Sequence, residues 1–496
     1  MSLGTGCATA PPPSADYSQV AYQAGLAACF PQLDGPVTLP VEDDLNGSHP
    51  VDFYVLTALE RNPELLAATH RVAAQSERIP QVTALDDPML SDTFYPLEDH
   101  SLQTAGGRLP NTLTLSQKFP WLSKLRVRGE VEEQETKIAL TQVAQTQLRV
   151  IEQVKLTYYE LFANQQAIEI TESSRELLED LLQFAEARYR TGGSQQDVLR
   201  AQLELDRIQD QLIQLNRALD VSQADLAELL HTSPDAEPMA EKEIALDDVP
   251  KQIDSLYEAA VQCRPELQER LHAIVRDQRK RELACLQYYP DFNVGLGWQA
   301  VTTDNAIARN ANGNDNYQVT VGLSLPIWRD KLRAGVREAE YRVLEDARRY
   351  DAERDETFRQ IRRLIAQADA HQQQIELFSE SIIPRAEQTL RVSVADYRVG
   401  KVDFLQIIDN YNELLRFQIQ LARLRANLGQ TFASIERAVG CQLATLPEFT
   451  TGPPIEAAPA PAPEPKDGSP DDKDLPKKPQ PDVDLIDFFP GEGQSS

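Results

Sequence analysis

The chain writes Tyr-Arg-x-Gly twice, as YRTGGSQQDVL at 189–199 and as YRVGKVDFL at 397–405. Each copy is followed by an Asp and then a Leu. The spacing far exceeds the about 20–50 residues of a solenoid unit. It points to a duplicated half-protein.

The flanking elements repeat in the same order. Before each turn lies a very long amphipathic stretch, at about 123–190 and about 328–398, with apolar residues stepping by three and four. Leu140, Ala144, Leu148, Ile151, Val154, Tyr158 and Leu161 make the first stripe; Ile361, Ile365, Ala368, Ile375, Phe378 and Ile382 make the second. After each turn a shorter helix is expected, at about 195–232 and about 402–438. Upstream, RNPELLAATH and CRPELQERLH share Pro-Glu-Leu at 63–65 and 265–267. Helices are expected there too, starting near residues 52 and 252.

Between the upstream helix and the long one, the period changes from 3.6 to 2. PDFNVGLGW at 290–298 and NYQVTVGLSLP at 316–326 alternate as strands do, NTLTLSQKFP at 111–120 matches the second, and DPMLSDTFYP at 87–96 matches the first weakly. Each half is therefore expected to hold one hairpin. Pro120 and Pro326 end the second strands, and Trp121 and Trp328 stand where an indole suits a membrane–water interface. Strands of this length suit a tilted bilayer crossing of about 9–11 residues. Four cannot close a barrel, whereas three copies supply twelve.

The organisation that results is a leader at 1–50, a first repeat at 51–235, a linker at 236–251, a second repeat at 252–440 and an acidic, proline-rich tail at 441–496, expected to be disordered. The net charge of −28 argues against nucleic acid as a partner. No Gly-x-x-x-x-Gly-Lys-Ser/Thr run, metal-binding His pair or Cys-x-x-Cys occurs, so neither cofactor nor metal centre is expected and energy must come from a partner. Cys263 and Cys285 lie too far apart along a helix to bridge, and Cys29 with Cys441 stays open. At the start, MSLGTGCATAPPPSAD resembles a bacterial lipoprotein cleavage site with Cys7 as the acylated residue. Leu3 stands one place too far upstream, and an ordinary cysteine in a leader is the other reading.

The duplicated turns, the Pro-Glu-Leu starts, the strand-ending FPW and LPIW, and SIIPRAEQTL at 381–390 together resemble the TolC-like outer-membrane factors over about residues 50–440. The fold class this implies is mainly α with a small membrane β-barrel portion. In it, a homotrimer builds a 12-stranded β-barrel on a 12-helix α-barrel. The implied function is a passive exit channel in the outer-membrane lipid, not an enzyme, working with a periplasmic adaptor and an inner-membrane pump of RND or ABC type. Tyr189, Gly192, Tyr397 and Gly400 would form its periplasmic tip. Asp403, Gln406 and Asp409 follow the second turn, and the resemblance places Gln406 and Asp409 at the pore mouth, with Gln406 standing where a carboxylate is expected. A charged residue on a helix is also simply a solvated face. A coiled-coil scaffold and a periplasmic adaptor are the alternatives to a channel.

Overall fold

The computed structural model describes residues 45–95, 101–244, 249, 252–304 and 306–442. Cys7, Cys29 and the segment from Pro447 onward lie outside these residues. In chain order the elements are β1 (Gly47–His49), α1 (Val51–Arg61), α2 (Pro63–Ser76), α3 (Arg78–Thr83), β2 (Met89–Phe94), β3 (Leu102–Thr104), β4 (Gly107–Phe119), α4 (Leu122–Arg190), α5 (Gln195–Leu229) and β5 (Pro238–Ala240). The second half follows as α6 (Ile253–Cys263), α7 (Pro265–Leu286), β6 (Phe292–Thr302), β7 (Asn316–Leu323), α8 (Arg329–Leu377), a π-helical segment (Phe378–Ile382), α9 (Ile383–Arg398) and α10 (Phe404–Val439). Helix, hairpin, long helix and shorter helix thus occur twice.

Each upstream helix is broken where the sequence predicts one continuous run. The break falls at Asn62 and at Arg264, whose ψ angles of 121° and 116° are extended. Both precede a proline, whose ring disfavours the helical conformation in the residue before it. The proline then opens the next helix, where its missing N–H costs nothing. The Asn62 side chain accepts the amide N–H of Glu64 at 3.0 Å.

The first long helix, α4, runs unbroken for 69 residues. At 1.5 Å per residue that is about 100 Å. The second is not continuous over 328–398. A proline inside a helix collides with the carbonyl four residues back, which for Pro384 is that of Glu380. The five-residue π turn widens the backbone just before Pro384, and α9 restarts with the proline in its first turn.

The four longer strands form one antiparallel sheet in the order β2-β4-β6-β7, with β3 beside β4. Its central pairing joins the two halves, since β4 runs against β6 from Arg108↔Thr302 to Phe119↔Phe292. The ladder shifts register between Arg108 and Asn111. Pro110 lies there, with no N–H to give, while its carbonyl accepts Tyr95 N–H at 2.9 Å. β6 runs four residues beyond the expected 298, and β7 stops at Leu323, short of the expected 326.

Helix packing makes three apolar clusters. Tyr54, Leu65, Val154, Tyr158, Leu161 and Leu226 centre one on the first repeat. Leu256, Ile361, Ile365, Leu428 and Ile435 centre its counterpart on the second. The third draws on both, with Leu178, Ala201, Ile208, Leu390, Tyr397, Phe404 and Tyr411. The sequence does not announce one element. β1 and β5 pair in parallel, joining residues read as leader to residues read as linker. The buried Tyr54 hydroxyl sits at that junction, within 3.0 Å of the carbonyls of Gly47 and Met239 and accepting Met239 N–H at 3.2 Å.

Candidate functional site

Among the described residues no helix is long and apolar enough to cross a membrane. The sheet has the two-faced character such a crossing needs. Side chains alternate across a strand, so the register sorts them into rows. Leu90, Leu115, Leu296 and Val319 form one row, and Leu113, Trp298 and Tyr317 the next, with Val294 and Val321 beyond. Asp92 and Gln117 stand at the margins of this face. The opposite rows read Ser91, Thr114, Gly297, Gln318 and Met89, Ser116, Gly295, Thr320, polar or small apart from Met89 at the start of edge strand β2. Leu90, Leu115, Leu296, Val319 and Val321 are all exposed. An exposed apolar face backed by a small, polar one separates lipid from water.

The strand-to-helix corners are unequal. Pro120 is buried, and Trp121 stacks on Tyr289 and Phe292, with centroids 5.1 and 6.2 Å away. Its backbone N–H donates to Asp291 Oδ1 at 3.1 Å, and the same oxygen pairs at 2.7 Å with Lys124, only 2 % exposed. Trp328 is 74 % exposed and Pro326 half-buried. The sequence signals both tryptophans; the Lys124–Asp291 pair, reaching between repeats, carries no local signal.

At the far ends of the long helices both Tyr-Arg-x-Gly turns use a left-handed glycine, with φ of 102° at Gly192 and 78° at Gly400. Gly192 N–H bonds the Tyr189 carbonyl at 3.1 Å, and Gly400 N–H the Tyr397 carbonyl at 3.0 Å. Their side chains part company. Tyr189 is 48 % exposed; Tyr397 is 3 % exposed. The Tyr397 hydroxyl donates to Asp197 Oδ2 at 2.9 Å on α5. The Arg188 guanidinium lies 4.2 Å above its ring and donates to its carbonyl at 3.0 Å. Burial, then the bond to the Asp197 carboxylate, pushes the Tyr397 phenol up to about 12. Phe184 and Phe404 complete the pocket, with ring centroids 6.1 and 5.5 Å away. The sequence marks Asp197 as part of the repeated motif, but neither its bond to Tyr397 nor the place of Arg188 is legible there, since nothing local marks a partner in the other repeat.

The three candidates after the second turn separate. Asp403 is the N-cap of α10, its carboxylate accepting Phe404 N–H at 2.8 Å. Gln406 and Asp409 are exposed and share the wet face of α10, opposite the buried Phe404, Ile407, Ile408 and Tyr411. The structure therefore gives Asp403 a capping bond and leaves Gln406 and Asp409 facing outward.

A two-faced sheet on paired long helices is the architecture of known outer-membrane channels. The outer membrane protein VceC of Vibrio cholerae superposes with a TM-score of 0.66 at 20 % identity, over 79 % of this chain and 96 % of that one. The Campylobacter jejuni CmeC outer membrane channel gives 0.65 at 13 % identity, over 84 % and 91 %. The open state of the Neisseria gonorrhoeae MtrE outer membrane channel gives 0.64 at 14 %, over 83 % and 95 %. No curated protein matches the chain by sequence. The fold defines an outer-membrane efflux channel that extends into the periplasm. Residues 55–231 and 256–441 match the model of the outer membrane efflux protein family, to which this chain belongs. It is a family of transport channels rather than of enzymes.

Proposed function

We propose that the protein is the passive exit duct of a tripartite efflux or type I secretion system, passing small molecules or ions from periplasm to exterior. The observation that carries this reading is the two-faced sheet with free edges. Among the described residues β2 and β7 each pair on one side only. Strand direction alternates along β2-β4-β6-β7, so β7 of one copy meets β2 of the next antiparallel. Three copies then make a homotrimer with twelve strands, above the eight of the smallest membrane barrels. Closure removes the exposed edges.

In that assembly the apolar rows meet outer-membrane lipid and Trp121, Pro120, Trp328 and Pro326 lie near its interface. The turns at Tyr189, Gly192, Tyr397 and Gly400 receive a periplasmic adaptor, and an inner-membrane pump of RND or ABC type supplies the energy. Cys7 adds a lipid anchor. The Tyr397–Asp197 bond and the Arg188 stack draw the two repeats together, narrowing the passage. Three Asp409 carboxylates around the mouth attract cations, with Gln406 one turn away neutral.

Detergent-purified protein should migrate as a trimer and conduct ions in planar bilayers. A stable monomer without conductance, or release of the chain from membranes by carbonate, would overturn the proposal. Asp409→Asn should move the reversal potential under a salt gradient toward zero; an unchanged potential takes Asp409 out of the pore.

A further inference from the structure

The break before Pro265 and the end of α10 meet in space, and each carries a cysteine. Gly440 closes α10 in the left-handed conformation, with φ of 90° and its N–H on the Glu436 carbonyl at 2.8 Å. A Cβ at position 440 would stand 2.6 Å from Arg264 Cα and 3.0 Å from the Cys263 carbonyl carbon, so only glycine permits this approach. Arg264 Nη1 donates to the Ala438 carbonyl at 3.0 Å, holding the strands of backbone together. The next residue on one side is Cys441, buried; the preceding one on the other is Cys263, exposed.

The first repeat builds the same junction without sulfur. Asn62, also before a proline, donates to the Leu229 carbonyl at 3.3 Å, and His231 takes the left-handed place of Gly440 with φ of 52°. Arg61 and Thr232 then stand where the second repeat has Cys263 and Cys441. The thiol pair is specific to one of two equivalent corners.

We propose that Cys263 and Cys441 form a disulfide in the periplasm, closing the second repeat from α7 to α10 into a covalent loop. The close backbone approach at Gly440 and the hydrogen bond between the two thiols set the cysteines side by side, as a disulfide requires, and the periplasm is an oxidising compartment. The Cys441 thiol donates a hydrogen bond to the Cys263 sulfur, lowering the Cys263 thiol below its ordinary range. The same bond, together with burial, holds the Cys441 thiol up. Cys263, the exposed and more readily ionised partner, therefore attacks first. Its thiolate displaces one sulfur of a reactive disulfide carried by a periplasmic thiol oxidant, giving a mixed disulfide and one oxidant thiolate. Cys441 loses its proton and attacks the Cys263 sulfur, expelling the second oxidant thiolate. The oxidant leaves as a dithiol with two electrons gained, and the chain holds one new sulfur–sulfur bond. This rests on the periplasmic location of the helices and is independent of pore formation.

The test is a peptide map of full-length protein extracted from membranes, alkylated under denaturing conditions without reductant. A cross-linked peptide pair containing Cys263 and Cys441, split by reductant, is expected. Full alkylation of both thiols, or Cys441 linked instead to Cys29, overturns the proposal. As a second readout, reductant should lower the unfolding midpoint of the unmodified protein and leave Cys263→Ser and Cys441→Ser unmoved. A midpoint indifferent to reductant in all three also refutes it.

Discussion

The two Tyr-Arg-x-Gly turns share a backbone and differ in what their tyrosines do. Tyr189 stands at the surface of its own turn, while Tyr397 is sunk between Arg188, Phe184 and Phe404 and bonded to Asp197. Three of those four neighbours, Arg188, Phe184 and Asp197, belong to the first repeat. Duplication has kept the glycine that turns the chain and reassigned the side chain beside it. One tyrosine fastens the halves to each other; its twin is free to face something else.

The largest test of this contrast replaces each tyrosine by alanine. Tyr397→Ala should lower unfolding free energy by about 3–5 kcal/mol, as removal of a buried aromatic does. Tyr189→Ala should stay within about 0.5 kcal/mol. Denaturant midpoints of the detergent-solubilised protein measure both, and equal losses would erase the distinction. Next, a double-mutant cycle of Tyr397→Phe with Asp197→Ala should give a coupling of roughly 1–2 kcal/mol for a bond to a charged acceptor. The cycle that the repeat makes equivalent, Tyr189→Phe with Asp403→Ala, should give none.

Gly192→Ala and Gly400→Ala should each cost about 1 kcal/mol, because both force a Cβ into the left-handed region. Here equality is the expectation, and a large difference would show that the turns diverge in backbone as well. The smallest effect concerns pH. The folded Tyr397 phenol titrates at about 12, above the about 10 of an unfolded tyrosine. Its contribution is therefore fully present below pH about 10 and lost as pH rises through 12. Between pH 7 and 9 the midpoint difference between the unmodified protein and Tyr397→Phe should not change.

Much of this architecture is written in short-range pattern. Pro63 and Pro265, Gly192 and Gly400, and the alternation across 316–323 act on their nearest neighbours, so they could be read in isolation. Yet helical periodicity alone runs straight through Pro63, Pro265 and Pro384, where the structure has a break or a π turn. What stayed hidden depends on meetings between remote segments. The parallel pairing of β1 with β5, the Lys124–Asp291 pair and the Arg188–Tyr397–Asp197 cluster each join residues from far-apart stretches. Asp403 shows the local case again, since its carboxylate caps α10 through the N–H of its own neighbour Phe404.

The central pairing of the sheet sets an order of events in biogenesis. Thr112 pairs with the nearby Thr93 on one side, but on the other its partner is the remote Gln299. Export through the inner membrane delivers the amino-terminal half first, so the β2–β4 ribbon reaches the periplasm with an open side. It must then wait while α4, α5, β5, α6 and α7 follow. An unpaired strand is a template for any passing chain, and such long-range pairing is intrinsically slow. A translocation stall near residue 240 would therefore strand a half-molecule whose safest fate is chaperone capture or proteolysis.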